Sequence, residues 1–187
     1  MKVIFLDHDG VICLDEQWGT RFNKQNQYTR ENRPPLKSIP IMERFDDFDK
    51  ACVEALNEIL RITDCEIVVS SDWRSWATIE EMKEYYLSQG IIKGPIDFTP
   101  FAFVGEISSL AKEARQQNAV LECVRAFEIK KWLEQNQVSS WVAVDDMNLG
   151  MGSWGLSNFA HCGEYDGLTN LEVKRELLSF LAEKVLE

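Results

Sequence analysis

Histidine is nearly missing from this 187-residue chain, with His8 and His161 its only two. That is too few for a histidine-built metal centre and leaves little for a Ser-His-Asp triad. Cysteine is present five times (13, 52, 65, 123 and 162), an odd number with no C-x-x-C pair. This spacing excludes a disulfide framework and a structural zinc site, and predicts reduced thiols. A cysteine-based phosphatase would need an arginine six residues past its nucleophile. Those positions hold Gly19, Glu58, Ser71, Ile129 and Leu168. No apolar run approaches the roughly 20 residues that span a bilayer, so no membrane partner is expected. The apolar N-terminal run stops at Asp7 without a cleavage region, which makes the cytoplasm the expected location. A G-x-x-x-x-G-K-[ST] loop is missing too. The calcium-loop pattern fails because Gly10 follows Asp9 directly.

Positive charge is also scarce. The net charge of −11 is a poor footprint for gripping long duplex nucleic acid, which is not expected as a partner. The distribution is uneven, however. Residues 17–40 carry Arg21, Lys24, Arg30, Arg33 and Lys37 against the single acid Glu31. This local net of about +4 leaves about −15 on the rest of the chain. A basic segment on an acidic body suits recruitment of an anionic substrate; a solvated loop is the plainer alternative.

What is present begins with Val3-Ile-Phe-Leu6, a short strand-forming run without polar alternation, ending in Asp7-His-Asp9-Gly10. Such a run suits a strand of a parallel sheet buried on both faces. If the chain stays extended, Asp7 and Asp9 point the same way at the strand's C-terminal end, and His8 points away in a structural role. Open α/β sheets bind ligands at that end. Two crowded carboxylates repel, and a divalent cation relieves the repulsion. A simple hairpin turn at Asp9-Gly10 is the alternative.

Periodicity then lapses until about Asp47, and the stretch 13–47 is too long for an ordinary connection. It reads as a flap or cap insertion. Asp49–Arg61 resumes with a helical stripe of Cys52, Val53, Leu56, Ile59 and Leu60. Glu66–Ser70 is a second buried strand, and Thr78-Ile-Glu-Glu81 has capping-box spacing for a helix that stops at Gly90. Pro95–Thr99 is a candidate third strand, and residues 100–124 are a candidate second insertion with a helix near Ser108–Gln117. Glu128–Gln135 is helical and Trp141–Val144 is a fourth strand, ending in Asp145-Asp146. Thr169-Asn-Leu-Glu172 reads as a second capping box, opening the last helix. Strands alternating with helices predict an α/β fold, a three-layer Rossmann-like parallel sheet with helices on both faces, as one domain over 1–187.

Three strand ends thus offer polar groups to one place: Asp7/Asp9, Ser70/Ser71 and Asp145/Asp146. This is a carboxylate site for phosphoryl transfer. Asp7 fits a nucleophile, Asp9 a general acid/base, and Ser70 a hydroxyl donor to phosphoryl oxygens. A carboxylate nucleophile splits a very slow hydrolysis into two steps through an aspartyl-phosphate. A dianionic substrate would be repelled by Asp7 unless Mg²⁺ bridged them, with Asp146 and its neighbour Asp145 as further ligands.

With these residues the chain resembles the haloacid dehalogenase-like (HAD) superfamily of aspartate-dependent phosphatases. It resembles more closely the HAD domain of multidomain Swiss Army knife RNA repair proteins and standalone relatives. The matching pieces are Asp7-His8-Asp9-Gly10, Phe48-Asp49 with Cys52-Val53 and Leu56-Asn57, and Val69-Ser70-Ser71-Asp72-Trp73-Arg74. They continue through Thr99-Pro100, Arg125 with Glu128-Ile129 and Trp132-Leu133, Asp145-Asp146 and Gly167-Leu168-Thr169. The resemblance implies that Asp7 is the nucleophile and that Asp9 protonates the leaving group while binding Mg²⁺ through its backbone carbonyl. It implies a third-motif cation, for which Arg125 fits the spacing best and Lys130 is the alternative. Ser71 and Arg74 are further candidates for phosphate binding, with Arg74 equally suited to a structural ion pair. Trp73 is read as core rather than as a stacking surface.

The expected activity is therefore Mg²⁺-dependent phosphomonoester hydrolysis. The substrate would be a phosphorylated small molecule, a nucleotide or a short nucleic-acid end. A HAD-fold binding or sensor module and a phosphatase for an unrelated small metabolite are the alternatives, since fold alone does not set function.

Overall fold

A computed structural model describes residues 1–25, 35–163 and 165–182. Five parallel strands, β1 (Lys2–Leu6), β2 (Glu66–Val69), β3 (Asp97–Phe98), β4 (Ser140–Asp145) and β5 (Phe159–His161), form one sheet in the order β3-β2-β1-β4-β5. The described helices are α1 (Thr20–Lys24), α2 (Ile41–Arg44), α3 (Lys50–Thr63), α4 (Ile79–Ser88), α5 (Ser108–Gln116), α6 (Val120–Gln135) and α7 (Leu171–Leu181).

Strand alternation splits the core between the two sheet faces. Ile4, Leu6, Ile67, Val69, Val142 and Val144 pack with Leu56 and Ile59 of α3, Met82 and Tyr86 of α4, and Leu177 and Leu181 of α7. Val3, Phe5, Val68 and Ala143 face the other way, onto Ala111 and Ala114 of α5 and Ala126, Ile129 and Trp132 of α6. This is the three-layer, Rossmann-like α/β arrangement expected. The connection leaving β1 runs over the first face to β2, and the one leaving β4 runs over the second to β5. The crevice between β1 and β4 is therefore the switch point of the sheet, where such folds bind ligands.

Register decides what meets there. Leu6 lies opposite Val69 on one side and Val144 on the other. The next residues, Asp7, Ser70 and Asp145, therefore stand at the same height, Asp145 as the last residue of β4.

Several elements differ from the sequence reading. Strand β1 stops at Leu6, so Asp7 and Asp9 do not share a strand face. Instead the chain coils at once, with the His8 carbonyl accepting from the backbone N–H of Val11 (3.2 Å), Ile12 (2.9 Å) and Cys13 (2.8 Å). Gly10 permits this with φ +70°. The capping box at Thr78 is present, with Glu81 N–H donating to Thr78 and Thr78 N–H to the Glu81 carboxylate. The box at Thr169 is not. Asn170 caps α7 by accepting from the N–H of Glu172 (2.9 Å) and Val173 (3.4 Å), while the Thr169 hydroxyl donates to the Asp166 carbonyl. Strand β5 is three residues long and carries no sequence signal of its own.

Among the described residues between 13 and 47 lie α1, α2 and the 3₁₀ turns Asp15–Gln17 and Leu36–Ser38. The basic segment is less available than its composition suggests. Arg21 pairs with Asp46 (3.6 Å) and Lys24 with Asp47 (2.8 Å), acids just beyond the segment. Arg30 and Arg33 lie outside the described residues. Residues 100–124, the candidate second insertion, contain α5 and the start of α6, and both contribute to the second core layer.

Candidate active site

Asp7 sits at the centre of the site and is buried. Its carboxylate contacts the Arg125 guanidinium (3.1 Å), which reaches in from α6 and also contacts Asp145 (3.1 Å) and Asp72 (3.3 Å). Arg125 Nη1 further donates to the Ser70 carbonyl at 2.5 Å. One cation thus ties the ends of β1, β2 and β4 together. Burial works against the Arg125 charge, but Asp7, Asp145 and Asp72 outweigh it and hold the guanidinium firmly protonated.

The carboxylates still outnumber the cation. Oxygens of Asp7, Asp145 and Asp146 lie within 4.8 Å of one another. Asp145 is buried, with Oδ1 accepting from the Met147 N–H (2.9 Å) and Oδ2 facing Arg125. Burial first, and Asp7 second, push the carboxyls of Asp145 and Asp146 above the usual range. Asp146 closes over Gly10, where a Cβ would come within 2.7 Å of both Asp146 Cβ and Oδ2. Glycine is thus needed there for contact as well as for φ.

Asp9 stands apart from that triplet. Its Oδ2 accepts a hydrogen bond from the Trp73 indole (2.9 Å). Burial and the neighbouring Asp7 raise its carboxyl to about 6, against the opposing effect of the indole. A carboxyl so placed is suited to gaining and losing a proton near neutrality. His8 is fully buried and packs beside Trp73, with Nε2 2.6 Å from the Tyr86 hydroxyl. Burial, aided by Arg125, lowers it to about 3 and keeps it neutral.

The Ser70 hydroxyl is buried without a hydrogen-bond partner among the described residues. A buried orphan of this kind calls for a ligand atom. Together with the surplus of carboxylates, it fits a site for a divalent cation and a phosphoryl group. Mg²⁺ takes oxygen ligands in an octahedron, and three carboxylates this close can supply part of it.

Three candidates do other work. Ser71 accepts from the Trp73 N–H at 3.5 Å and so caps the 3₁₀ turn Asp72–Trp76. Arg74 is buried in an ion pair with Glu128, donates to the Ser71 carbonyl (2.8 Å) and covers the Phe101 ring. Lys130 donates to the Trp154 carbonyl (2.6 Å), and the cation that meets Asp7 is Arg125. Trp73 was legible as core but not as the partner of Asp9, because nothing local in the sequence links them.

A family model described as the HAD domain in Swiss Army Knife RNA repair proteins matches residues 3–173. No curated protein and no solved structure matches the chain.

Proposed function

The chain belongs to the family of HAD domains found in Swiss Army Knife RNA repair proteins, and from that premise we propose that it is a Mg²⁺-dependent phosphomonoester hydrolase working through an aspartyl-phosphate. The family match supports a hydrolase or phosphatase class of activity. The observation that carries the finer reading is the surplus of buried carboxylates, Asp7, Asp145 and Asp146, gathered at level strand ends around a single arginine.

In this reading Asp7 attacks phosphorus. Arg125 and the Ser70 hydroxyl lie where they can offset charge on the phosphoryl oxygens. Asp9 protonates the leaving oxygen and later takes a proton from the attacking water. Asp7, Asp145 and Asp146 would hold Mg²⁺, with the Asp9 carbonyl as a further ligand. When bound, the cation would neutralise the dianionic phosphoryl group against these acids. The family's description points to a nucleotide or a nucleic-acid terminal phosphate as substrate. Residues 13–47 would serve as a flap in this scheme, a role supported by Phe45, whose ring stacks on Trp73, the indole that donates to Asp9.

The test is phosphate release from an aryl phosphate with Mg²⁺ and with chelator, comparing the wild type with Asp7→Asn. Turnover should require Mg²⁺ and fall at least about a thousand-fold in the variant. Mg²⁺ binding without turnover on a broad phosphoester panel would replace the reading by a sensor module.

A further inference from the structure

Trp73 occupies an unusual place for a core aromatic. Its ring lies flat on Phe45 (centroids 4.6 Å apart, planes 5° apart) and is flanked by Phe48 (5.7 Å) and His8 (4.5 Å). The turn that carries it is pinned on both sides. Ser71 caps it from the strand, and Arg74 is anchored to the Ser71 carbonyl and to Glu128. The indole is thus held from every direction, and its one polar atom donates to Asp9 Oδ2 at 2.9 Å.

We propose that Trp73 is a positioning residue for the proton donor, fixing the Asp9 carboxyl and selecting the oxygen that carries its proton. The inference rests on the hydrolase reading above. The physical reason is that an indole N–H can only donate. A carboxylic acid accepts best at its carbonyl oxygen, so a donor fixed on Oδ2 makes Oδ2 the carbonyl and places the acid hydrogen on Oδ1. The ring cage of Phe45, Phe48 and His8 holds that choice.

The proton balance follows. As an Asp7 oxygen bonds to phosphorus, the bond from phosphorus to the leaving oxygen breaks. The Asp9 proton moves to that oxygen, leaving Asp9 ionised. Water then attacks phosphorus, returns a proton to Asp9 and releases Asp7 and inorganic phosphate. The indole keeps its hydrogen throughout.

Proton donation matters most when the leaving oxygen is basic. The experiment measures kcat/KM, which reports leaving-group departure, for alkyl, phenyl and dinitrophenyl phosphates with Mg²⁺. The variants are Trp73→Phe, and benzothienylalanine at position 73, which keeps the indole shape without the N–H. Both should lose about 10-fold or more on the alkyl ester and stay within about 3-fold on the dinitrophenyl ester. Phe45→Leu, which loosens the same stack but leaves the N–H, should lose activity evenly across the series. An even loss in the two N–H-deficient variants, with Asp9→Asn still selective for basic leaving groups, overturns the role of Trp73 alone. An even loss in Asp9→Asn overturns Asp9 as the proton donor and with it the role of Trp73, whereas no wild-type turnover of any ester overturns the hydrolase reading itself.

Discussion

At the scale of single residues, the site is built from groups with opposite protonation tendencies held a few ångströms apart. Burial lowers His8 to about 3 and raises Asp9 to about 6. These shifts act on stability in opposite directions. An unfolded histidine gains a proton below about 6.5, whereas folded His8 stays neutral until about 3. The unfolded state therefore binds more protons in that window, and stability drains away as pH falls through it. Asp9 has a folded pKa above the unfolded value, so it contributes stability as pH falls from about 6 toward 4. Comparison of the wild type with His8→Gln isolates the histidine. The wild type's stability should fall relative to the variant by up to about 1.4 kcal/mol per pH unit between pH 6 and 4, measured by urea unfolding. A pH-independent difference would mean that His8 already protonates in the folded chain.

At the scale of elements, the helices show where patterning speaks and where function silences it. The stripe of α3 and the capping box of α4 are legible because their buried faces are apolar and their caps local. Helix α6 is longer than Glu128–Gln135, the part with a readable stripe. Its inner face carries the charged Arg125 and Glu128, buried because they meet Asp7 and Arg74. Those charges interrupt the apolar period that would announce the helix. The α7 cap was displaced by one residue because Thr169 and Asn170 are both good caps and only the backbone decides between them. Asn170→Ala should cost about 1 kcal/mol in urea denaturation and Thr169→Ala less than half of that. Equal losses would return the cap to Thr169.

At the scale of the whole molecule, the excess of negative charge at the switch point is a strain on the folded state that a cation would relieve. Mg²⁺ at one hundred times its Kd should stabilise the chain by about 2.7 kcal/mol, raising Tm by roughly 5–10 °C. Chelator should reverse the shift and Asp146→Asn should remove most of it. A Tm indifferent to Mg²⁺ would exclude the carboxylate triplet as a metal site. Among the described residues no helix is long and apolar enough to cross a membrane.

By itself the sequence determined the alternation of buried strands and amphipathic helices. It also determined that Asp7, Ser70 and Asp145-Asp146 lie at strand ends, because both are written in short-range spacing. Gly167-Leu168-Thr169 was legible as a family motif, and the Leu168 N–H proves to donate to the Val11 carbonyl in the turn that follows Asp7 (3.0 Å). Only the tertiary structure decided which partners these groups find. It chose Arg125 over Lys130, gave Arg74 to Glu128, turned Asp9 out of the strand and set Trp73 against it. The pairings of Arg125 with Asp7, Arg74 with Glu128 and Trp73 with Asp9 join residues 54 to 118 positions apart, across a register and a crossover that no local pattern encodes.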